Sequence, residues 1–128
     1  MQITFFAPQL IVQDGAAAIE FYKKAFDVEE LRRWSNDDGS VHVAELSFNG
    51  AMFHIKQEQP EQSRLSPATA KGRTAIIGVF VNDVDMVVDQ AIANGATLLN
   101  APQDYEYGYR QANIKDPFGH EWLIEKKI

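Results

Sequence analysis

The sequence predicts an α+β fold built from two βαβββ modules, because the same order of elements occurs twice within 128 residues. Two short stretches mark the repeat, I-V-Q-D at residues 11–14 and F-V-N-D at residues 80–83. Each stretch ends an apolar, β-branched run and opens a segment with helical spacing of apolar residues. Three strand-like segments follow in each half. We therefore predict one domain over residues 1–128, with modules at 1–57 and 74–128.

The first module is predicted to begin with a strand at 9–12 and a helix capped by Asp14, whose carboxylate can accept from the free N–H groups of the first turn. Apolar residues share one face of this helix: Ala18, Ile19, Tyr22 and Phe26. Further strands are expected at 30–35, 41–48 and 51–57. The Asn49-Gly50 pair between the last two is a strong signal for a β-hairpin.

The second module is predicted to have a strand at 75–81 and a helix that is capped by Asp83 and ends at Gly95. Its remaining strands are expected at 97–101, 109–115 and 121–125. The D-P-F-G turn at 116–119 joins the last two, with proline and glycine where a type I turn prefers them. The polar segment 58–73 contains two prolines and is predicted to be a linker between the modules.

Composition restricts the classes of partner. The chain has 45% apolar and 23% charged residues, which is ordinary for a globular domain, and it has no cysteine for thiolate chemistry. Its net charge of −6 argues against nucleic acid or an anionic membrane, since both require a basic surface. No apolar run approaches the length of a spanning helix, and the N-terminal residues do not have the pattern of a signal peptide. We expect a cytoplasmic protein.

Three motifs in the duplicated layout resemble those of the vicinal oxygen chelate superfamily, and most of all its PhnB-like subgroup. They are V-x-D opening a helix that carries F-Y, V-A-E-L-S-F-N-G at 43–50, and D-P-F-G-H-E-W-L-I at 116–124. That superfamily includes glyoxalase I, the fosfomycin and bleomycin resistance proteins, and the extradiol dioxygenases. The resemblance implies that each module curls into a cup with its helix outside, that the cup binds a small molecule, and that the protein is a homodimer.

The resemblance also implies where a metal would bind. The ligand positions of the metal-using relatives correspond here to Ala7, Glu45, Ile76 and Leu123. Only Glu45 can bind a metal, whereas a catalytic divalent site needs about three protein ligands. We therefore predict neither a metal nor another cofactor. A rearranged ligand set, in which Glu45 is joined by a histidine or by Glu121, stays open as an alternative.

Glu45 is the candidate catalytic residue, because it is expected to point into the cup with Val41, Val43 and Ser47, where a carboxylate can act as a general base. It can equally be tied to an arginine such as Arg110. The predicted ligand pocket follows strand alternation around Glu45, with aromatic and cationic neighbours added. Its residues are Ala7, Gln9, Trp34, Val43, Glu45, Ile76, Tyr107, Tyr109, Arg110 and Leu123.

Two further segments leave alternatives open. The tyrosine-rich stretch at 103–110 is interpreted either as a lid over the cup or as a two-faced edge strand. His120 follows the tight turn, and we predict that it donates to a backbone carbonyl or lies in water, in preference to a metal-ligand role.

Three functions follow from these observations. We predict a protein that binds a small organic molecule in the cup without metal, and the acidic composition favours a cationic ligand. The first alternative is a metal-dependent glyoxalase-type isomerase or lyase that uses Glu45. The second is a dimeric scaffold whose cup is vestigial.

Overall fold

Two four-stranded mixed sheets, one from each half of the chain, form the framework of the computed structural model, which describes residues 1–128. The first sheet, in the order β1-β4-β3-β2, consists of β1 (Gln9–Val12), β2 (Glu29–Ser35), β3 (Val41–Phe48) and β4 (Ala51–Gln57). The second sheet, in the order β5-β8-β7-β6, consists of β5 (Ile76–Phe80), β6 (Thr97–Tyr105), β7 (Tyr109–Lys115) and β8 (Glu121–Lys127). The helices are α1 (Gly15–Phe26), α2 (Pro67–Ala70) and α3 (Val84–Ala93). The predicted α+β fold with two βαβββ modules is confirmed.

Local sequence explains where the two long helices begin and end. Asp14 accepts a hydrogen bond from Ala17 N at 3.1 Å, and Asp83 accepts one from Met86 N at the same distance. Each aspartate thereby caps free N–H groups of a first turn, as predicted. Helix α1 ends at Asp27, which adopts the left-handed conformation with φ 54°.

The edge strand β6 is longer than the sequence predicts. It was expected to end at residue 101, yet it continues to Tyr105 through Pro102. A proline is tolerated there because an edge strand has one side on which no N–H group is required. Two register shifts between Leu98 and Gln103 also show that the pairing with β7 is irregular in this stretch.

The two modules share one apolar core. Helices α1 and α3 lie against each other, and Gln90 Nε2 donates to the Lys24 carbonyl at 2.8 Å and to Asp27 Oδ1 at 3.1 Å. Trp122 of β8 is fully buried and packs on aromatic rings of the first module, with centroids 5.0 to 5.9 Å apart. These rings belong to Tyr22, Phe26, Phe48 and Phe53. The helix-bearing faces of both sheets therefore meet, and the opposite faces are left open.

The segment between the modules packs against the second module. It contains a 3-10 turn at Pro60–Gln62 and helix α2, which is capped by the fully buried Ser66. Ser66 N donates to Glu58 Oε1 at 3.0 Å. Pro67 packs on Gly119, where an added Cβ would lie only 2.8 Å from the proline Cβ and where φ is +94°. Glycine at this turn is required both by the backbone conformation and by the close approach.

Candidate functional site

The open face of the first sheet carries a continuous row of polar side chains. Directly opposite residues in neighbouring strands share a face, so the pairing places one residue of each strand side by side. We call this set the polar row: Gln9 of β1, His54 of β4, Glu45 of β3 and Arg32 of β2. Gln9 Nε2 lies 3.3 Å from His54 Nδ1. The row brings an amide, an imidazole, a carboxylate and a guanidinium onto one surface.

A second row runs beside the polar row and combines one lysine with apolar side chains. We call this set the lysine row: Ile11 of β1, Lys56 of β4, Val43 of β3 and Trp34 of β2. Arg32 joins the two rows, because its guanidinium carbon lies 4.4 Å from the centroid of the Trp34 ring in a cation–π contact. The two rows together form the candidate site.

Three charged side chains in this site, Glu45, Lys56 and Arg32, make no ion pair or hydrogen bond with the protein. Glu45 is half-buried, and its neighbours in the row, Arg32 and His54, lie beyond ion-pair distance. Lys56 is only 8% exposed, and no carboxylate oxygen lies within 4.0 Å of its ammonium nitrogen. All three groups are therefore available to a bound molecule, Glu45 as a hydrogen-bond acceptor or base and Lys56 and Arg32 as cations.

The prediction that Val41 shares the face of Glu45 is wrong. Val41 is 1% exposed and packs toward α1, where an added Cβ on Gly15 would lie 2.8 Å from its own Cβ. The cause is an irregularity in the β2–β3 pairing, in which one step from Trp34 to Ser35 is matched by two steps from Val43 to Val41. A bulge of this kind turns the following side chain to the other face.

The open face of the second sheet is acidic, and its carboxylates are held by neighbouring side chains. Glu121 Oε2 accepts from Asn113 Nδ2 at 3.0 Å, and Arg73 also lies 3.0 Å from this glutamate. Glu125 is buried and accepts from Gln111 Nε2 at 2.9 Å. Leu123 lies between the two glutamates on the same face by strand alternation. This surface is thus chemically complementary to the lysine-containing face of the first sheet.

The tyrosine-rich stretch forms the end of the β6–β7 hairpin. The rings of Tyr105 and Tyr107 are stacked with centroids 5.3 Å apart, and Tyr109 lies 5.7 Å from Tyr107. Tyr109 also contacts Phe80 of β5. Tyr107 donates a hydrogen bond to Gln111. The pKa of its hydroxyl is raised, mainly by desolvation and to a smaller extent by the nearby Tyr105 and Glu125. These tyrosines lie on the second sheet, on the opposite module from Glu45.

Arg110 is not a partner of Glu45. It shares the helix-bearing face of β7 with Ala112 and Ile114, and it binds Asp85 of α3 through two hydrogen bonds of 2.8 Å. Its Nη1 donates to Asp104 at 3.0 Å, and these two carboxylates raise the pKa of the guanidinium. The prediction of Arg110 as a residue of the Glu45 pocket is therefore wrong, because strand alternation places it on the helix-bearing face of the second sheet, where two carboxylates bind it.

The remaining predicted pocket residues fall into two groups in a single chain. Gln9, Trp34, Val43 and Glu45 lie together on the first sheet, and the half-buried Ala7 immediately precedes β1. Ile76, Tyr107, Tyr109 and Leu123 belong to the second module. Three residues beside Glu45 were not among the predicted ones: Arg32, His54 and Lys56. One chain does not bring the two groups together.

The turn at the start of β8 has a structural role. The buried Asp116 accepts from Trp122 Nε1 at 2.9 Å, from Phe118 N at 2.9 Å, from His120 N at 3.0 Å and from the hydroxyl of Tyr22. Burial, followed by the charge of Asp116, raises the pKa of Tyr22 well above its usual value. His120 Nε2 donates to the Ile11 carbonyl at 2.8 Å, as predicted. The F-Y and D-P-F-G-H-E-W motifs are thus two halves of one contact.

The donor set does not fit a divalent metal of the kind used by relatives. Ala7, Ile76 and Leu123 offer no side-chain ligand, and Glu45 has only His54 as a metal-binding neighbour. No group of three or more His, Cys, Asp or Glu side chains is arranged to hold a metal ion. We therefore assign no metal-dependent step to these residues.

A groove of about 560 Å³ lies elsewhere, between the C-terminal end of α1 and the second module. Its walls are mostly apolar and include Phe26, Phe48, Val79, Met86 and Val87. Neither row of the candidate site contributes to it. No helix of the chain is long and apolar enough to span a membrane.

The two curved, helix-backed sheets and the polar face of the first sheet define a two-module protein of the cup-forming class. The sequence matches the model of the Glyoxalase/Bleomycin resistance protein/Dioxygenase superfamily over residues 2–124. The chain belongs to this superfamily.

Similar proteins support the assignment. An uncharacterised protein of Mycobacterium bovis is 35% identical over 125 residues, which cover 95% of this chain and 82% of the relative. Among solved structures, TioX from Micromonospora sp. ML1 has a TM-score of 0.77 at 23% identity and covers 98% of this chain and 100% of its own. The fosfomycin resistance protein FosX from Listeria monocytogenes, in complex with Mn(II) and sulfate, has a TM-score of 0.76 at 18% identity, with 100% and 93% covered. These structures support the fold.

Proposed function

We propose that this protein binds a small organic molecule on the open face of its first sheet, without a divalent metal. The observation that carries the proposal is the pair of unpartnered charges, Glu45 and Lys56, on a surface that also contains Trp34 and Val43. Small-molecule sites typically combine apolar walls with a few convergent polar groups. Membership in a superfamily that includes bleomycin resistance proteins is consistent with a binding role.

We propose further that a second copy of the chain completes the cup, as a homodimer in the cytoplasm. Each chain leaves Ile76 58% and Phe80 61% exposed on the open face of the second sheet. Large apolar side chains exposed together are typical of interaction surfaces. The charges indicate that the partner is a second copy of the chain. Glu121 and Glu125 on the open face of the second sheet are complementary to Arg32 and Lys56 on the open face of the first sheet. Two such contacts related by a twofold axis would close two cups.

The first test is the oligomeric state of an Ile76→Lys variant. Ile76 is exposed on the open face of the second sheet, so its replacement would bury a new ammonium in the dimer contact, toward the cationic sheet of the second copy. We expect the wild type to sediment at twice the 14.4 kDa chain mass and the variant to dissociate, with a dimer Kd at least about a hundredfold higher. Met86→Lys is the matched control, because Met86 is 59% exposed but lies on α3. A monomeric wild type, or equal effects of both substitutions, would contradict the proposed dimer.

The second test is a thermal-shift screen of small organic molecules of negative, neutral and positive charge. A ligand at about 100 times its Kd stabilises the folded state by about 2.7 kcal/mol, which raises the Tm of a domain of this size by several degrees. Glu45→Gln should weaken binding of a hit about tenfold, because it removes a charge-assisted hydrogen bond. Glu61→Gln, on the exposed 3-10 turn, should leave the affinity unchanged. If no compound changes the Tm, the proposed binding function is contradicted.

A metal-dependent glyoxalase-type isomerase or lyase is the second candidate, and the Glu45–His54 pair favours it because both residue types bind metals. The distinguishing measurement is the metal content of protein purified without chelator, together with its Tm in EDTA. A stoichiometric metal whose removal lowers the Tm would replace the binding proposal with this one.

A further inference from the structure

We infer that the molecule bound on the first sheet is an organic anion and that Lys56 binds its negative group. This inference rests on the proposed function, because it assigns the class of ligand taken by the same site. It goes against the expectation from composition, in which a net charge of −6 favours a cationic ligand.

The burial of Lys56 is the first step. Lysine is rarely buried unless it is paired, yet Lys56 is 8% exposed and has neither a carboxylate within 4.0 Å nor a hydrogen bond to the protein. Its neighbours in the lysine row, Ile11 and Val43, are apolar. These neighbours cover the aliphatic part of Lys56, whereas its ammonium nitrogen reaches the open face, since no side-chain nitrogen is buried without a hydrogen-bond partner; within the chain this ammonium has no partner. An anionic ligand would supply that partner.

The neighbouring charges are the second step. Arg32 is exposed, makes no ion pair and stacks on Trp34, so it adds a second unpartnered cation to the site. Glu45 is the one carboxylate of the two rows and would repel an anion placed beside it. The negative group is therefore assigned to the Lys56 end of the site. A hydrogen-bond donor of the ligand would then face Glu45, and an apolar body would lie on Val43 and Trp34.

The net charge of the chain does not oppose this assignment. In the proposed dimer, Glu121 and Glu125 of the second copy lie across the cup from Lys56. Both are already held by amide side chains of their own sheet, so Lys56 is left to a ligand placed between the two sheets. The local surplus of cations on the first sheet therefore decides which ligand charge is favoured.

The test compares three probes of nearly the same shape: benzoate, benzamide and benzamidine, which are anionic, neutral and cationic. Dissociation constants are measured by NMR titration on the wild type and on Lys56→Met, Lys56→Arg and Lys24→Met. We expect benzoate to bind the wild type at least about tenfold more tightly than benzamide, and benzamidine to bind most weakly. Lys56→Met should remove the preference for benzoate. Lys56→Arg should keep it, as should Lys24→Met, which changes an exposed and unpaired lysine.

The melting temperature of Lys56→Met separates a binding role from a structural one. Because the Lys56 ammonium makes no ion pair or hydrogen bond within the chain, replacing Lys56 by an apolar side chain of similar length should leave the ligand-free Tm nearly unchanged. A clear fall in Tm would show that the ammonium stabilises the fold, and it would overturn the assignment.

The remaining outcomes also decide the question. Benzamidine binding as tightly as benzoate, or a benzoate preference that survives in Lys56→Met, would overturn the inference. If the small-molecule screen finds only neutral or cationic ligands, the inference fails while the proposed binding function stands. If no compound of any charge binds, the proposed function fails and the inference fails with it.

Discussion

Replacing Asp116 by alanine is expected to lower the free energy of unfolding by about 3–5 kcal/mol, because it leaves several buried donors without an acceptor. One carboxylate accepts from the side chains of Tyr22 and Trp122 and from the backbone N–H groups of Phe118 and His120. Water cannot easily replace it, since Asp116 is 1% exposed. Urea unfolding followed by circular dichroism measures the loss.

Two further variants show whether the loss comes from these hydrogen bonds. Asp89→Ala changes an exposed aspartate of α3 that makes no hydrogen bond, and it should change stability by no more than about 0.5 kcal/mol. Tyr22→Phe removes a single donor and should cost about 1 kcal/mol, because three donors still bind Asp116. If Asp116→Ala and Asp89→Ala had the same free energy of unfolding, the Asp116 carboxylate would not be the group that joins the last turn to α1.

Much of the fold could be predicted because its signals are local. The N-caps Asp14 and Asp83, the Asn49-Gly50 hairpin and the D-P-F-G turn each depend on a few adjacent residues. Strands β1, β3, β4 and β7 have the predicted bounds. Alternation also predicts correctly that Trp122 and Ile124 share the buried face of β8.

Part of the candidate site could also have been predicted from the sequence. A two-residue hairpin fixes the register of its strands, so counting outward from Asn49-Gly50 pairs Glu45 with His54 and Val43 with Lys56. The predicted pocket omits both partners, although this count places them on the Glu45 face. The burial of Lys56 could not be predicted in the same way, because it depends on the side chains that surround it in the folded sheet.

Other residues depend on features that leave no clear local signal. Arg32 reaches the Glu45 face because the pairing of β2 with β3 skips Leu31, and a second irregularity turns Val41 toward α1. The partner of Arg110 is Asp85, which belongs to a different element and could not be identified from the strand sequence. The split of the predicted pocket follows from the contact of α1 with α3, which is a property of tertiary packing.

The Trp122→Ala substitution should have a comparably large effect, a loss of about 3–5 kcal/mol in the free energy of unfolding. Trp122 belongs to the second module, but its buried ring contacts four aromatic rings of the first and its Nε1 donates to Asp116. Truncation therefore leaves a large cavity at the place where the modules join. Urea unfolding followed by circular dichroism gives the free energy, because the substitution removes one of the two tryptophan fluorophores.

The other tryptophan provides the matched control. Trp34 lies half-buried on the open face of the first sheet, so Trp34→Ala should cost less than about 1.5 kcal/mol while it weakens binding of an organic ligand. Trp122→Phe keeps an aromatic ring but loses the hydrogen bond to Asp116, and it should fall between the two alanine variants. Equal losses for Trp34→Ala and Trp122→Ala would contradict the assignment of one tryptophan to the shared core and the other to the site. The expected difference separates the residue that joins the modules from the residue that meets the ligand.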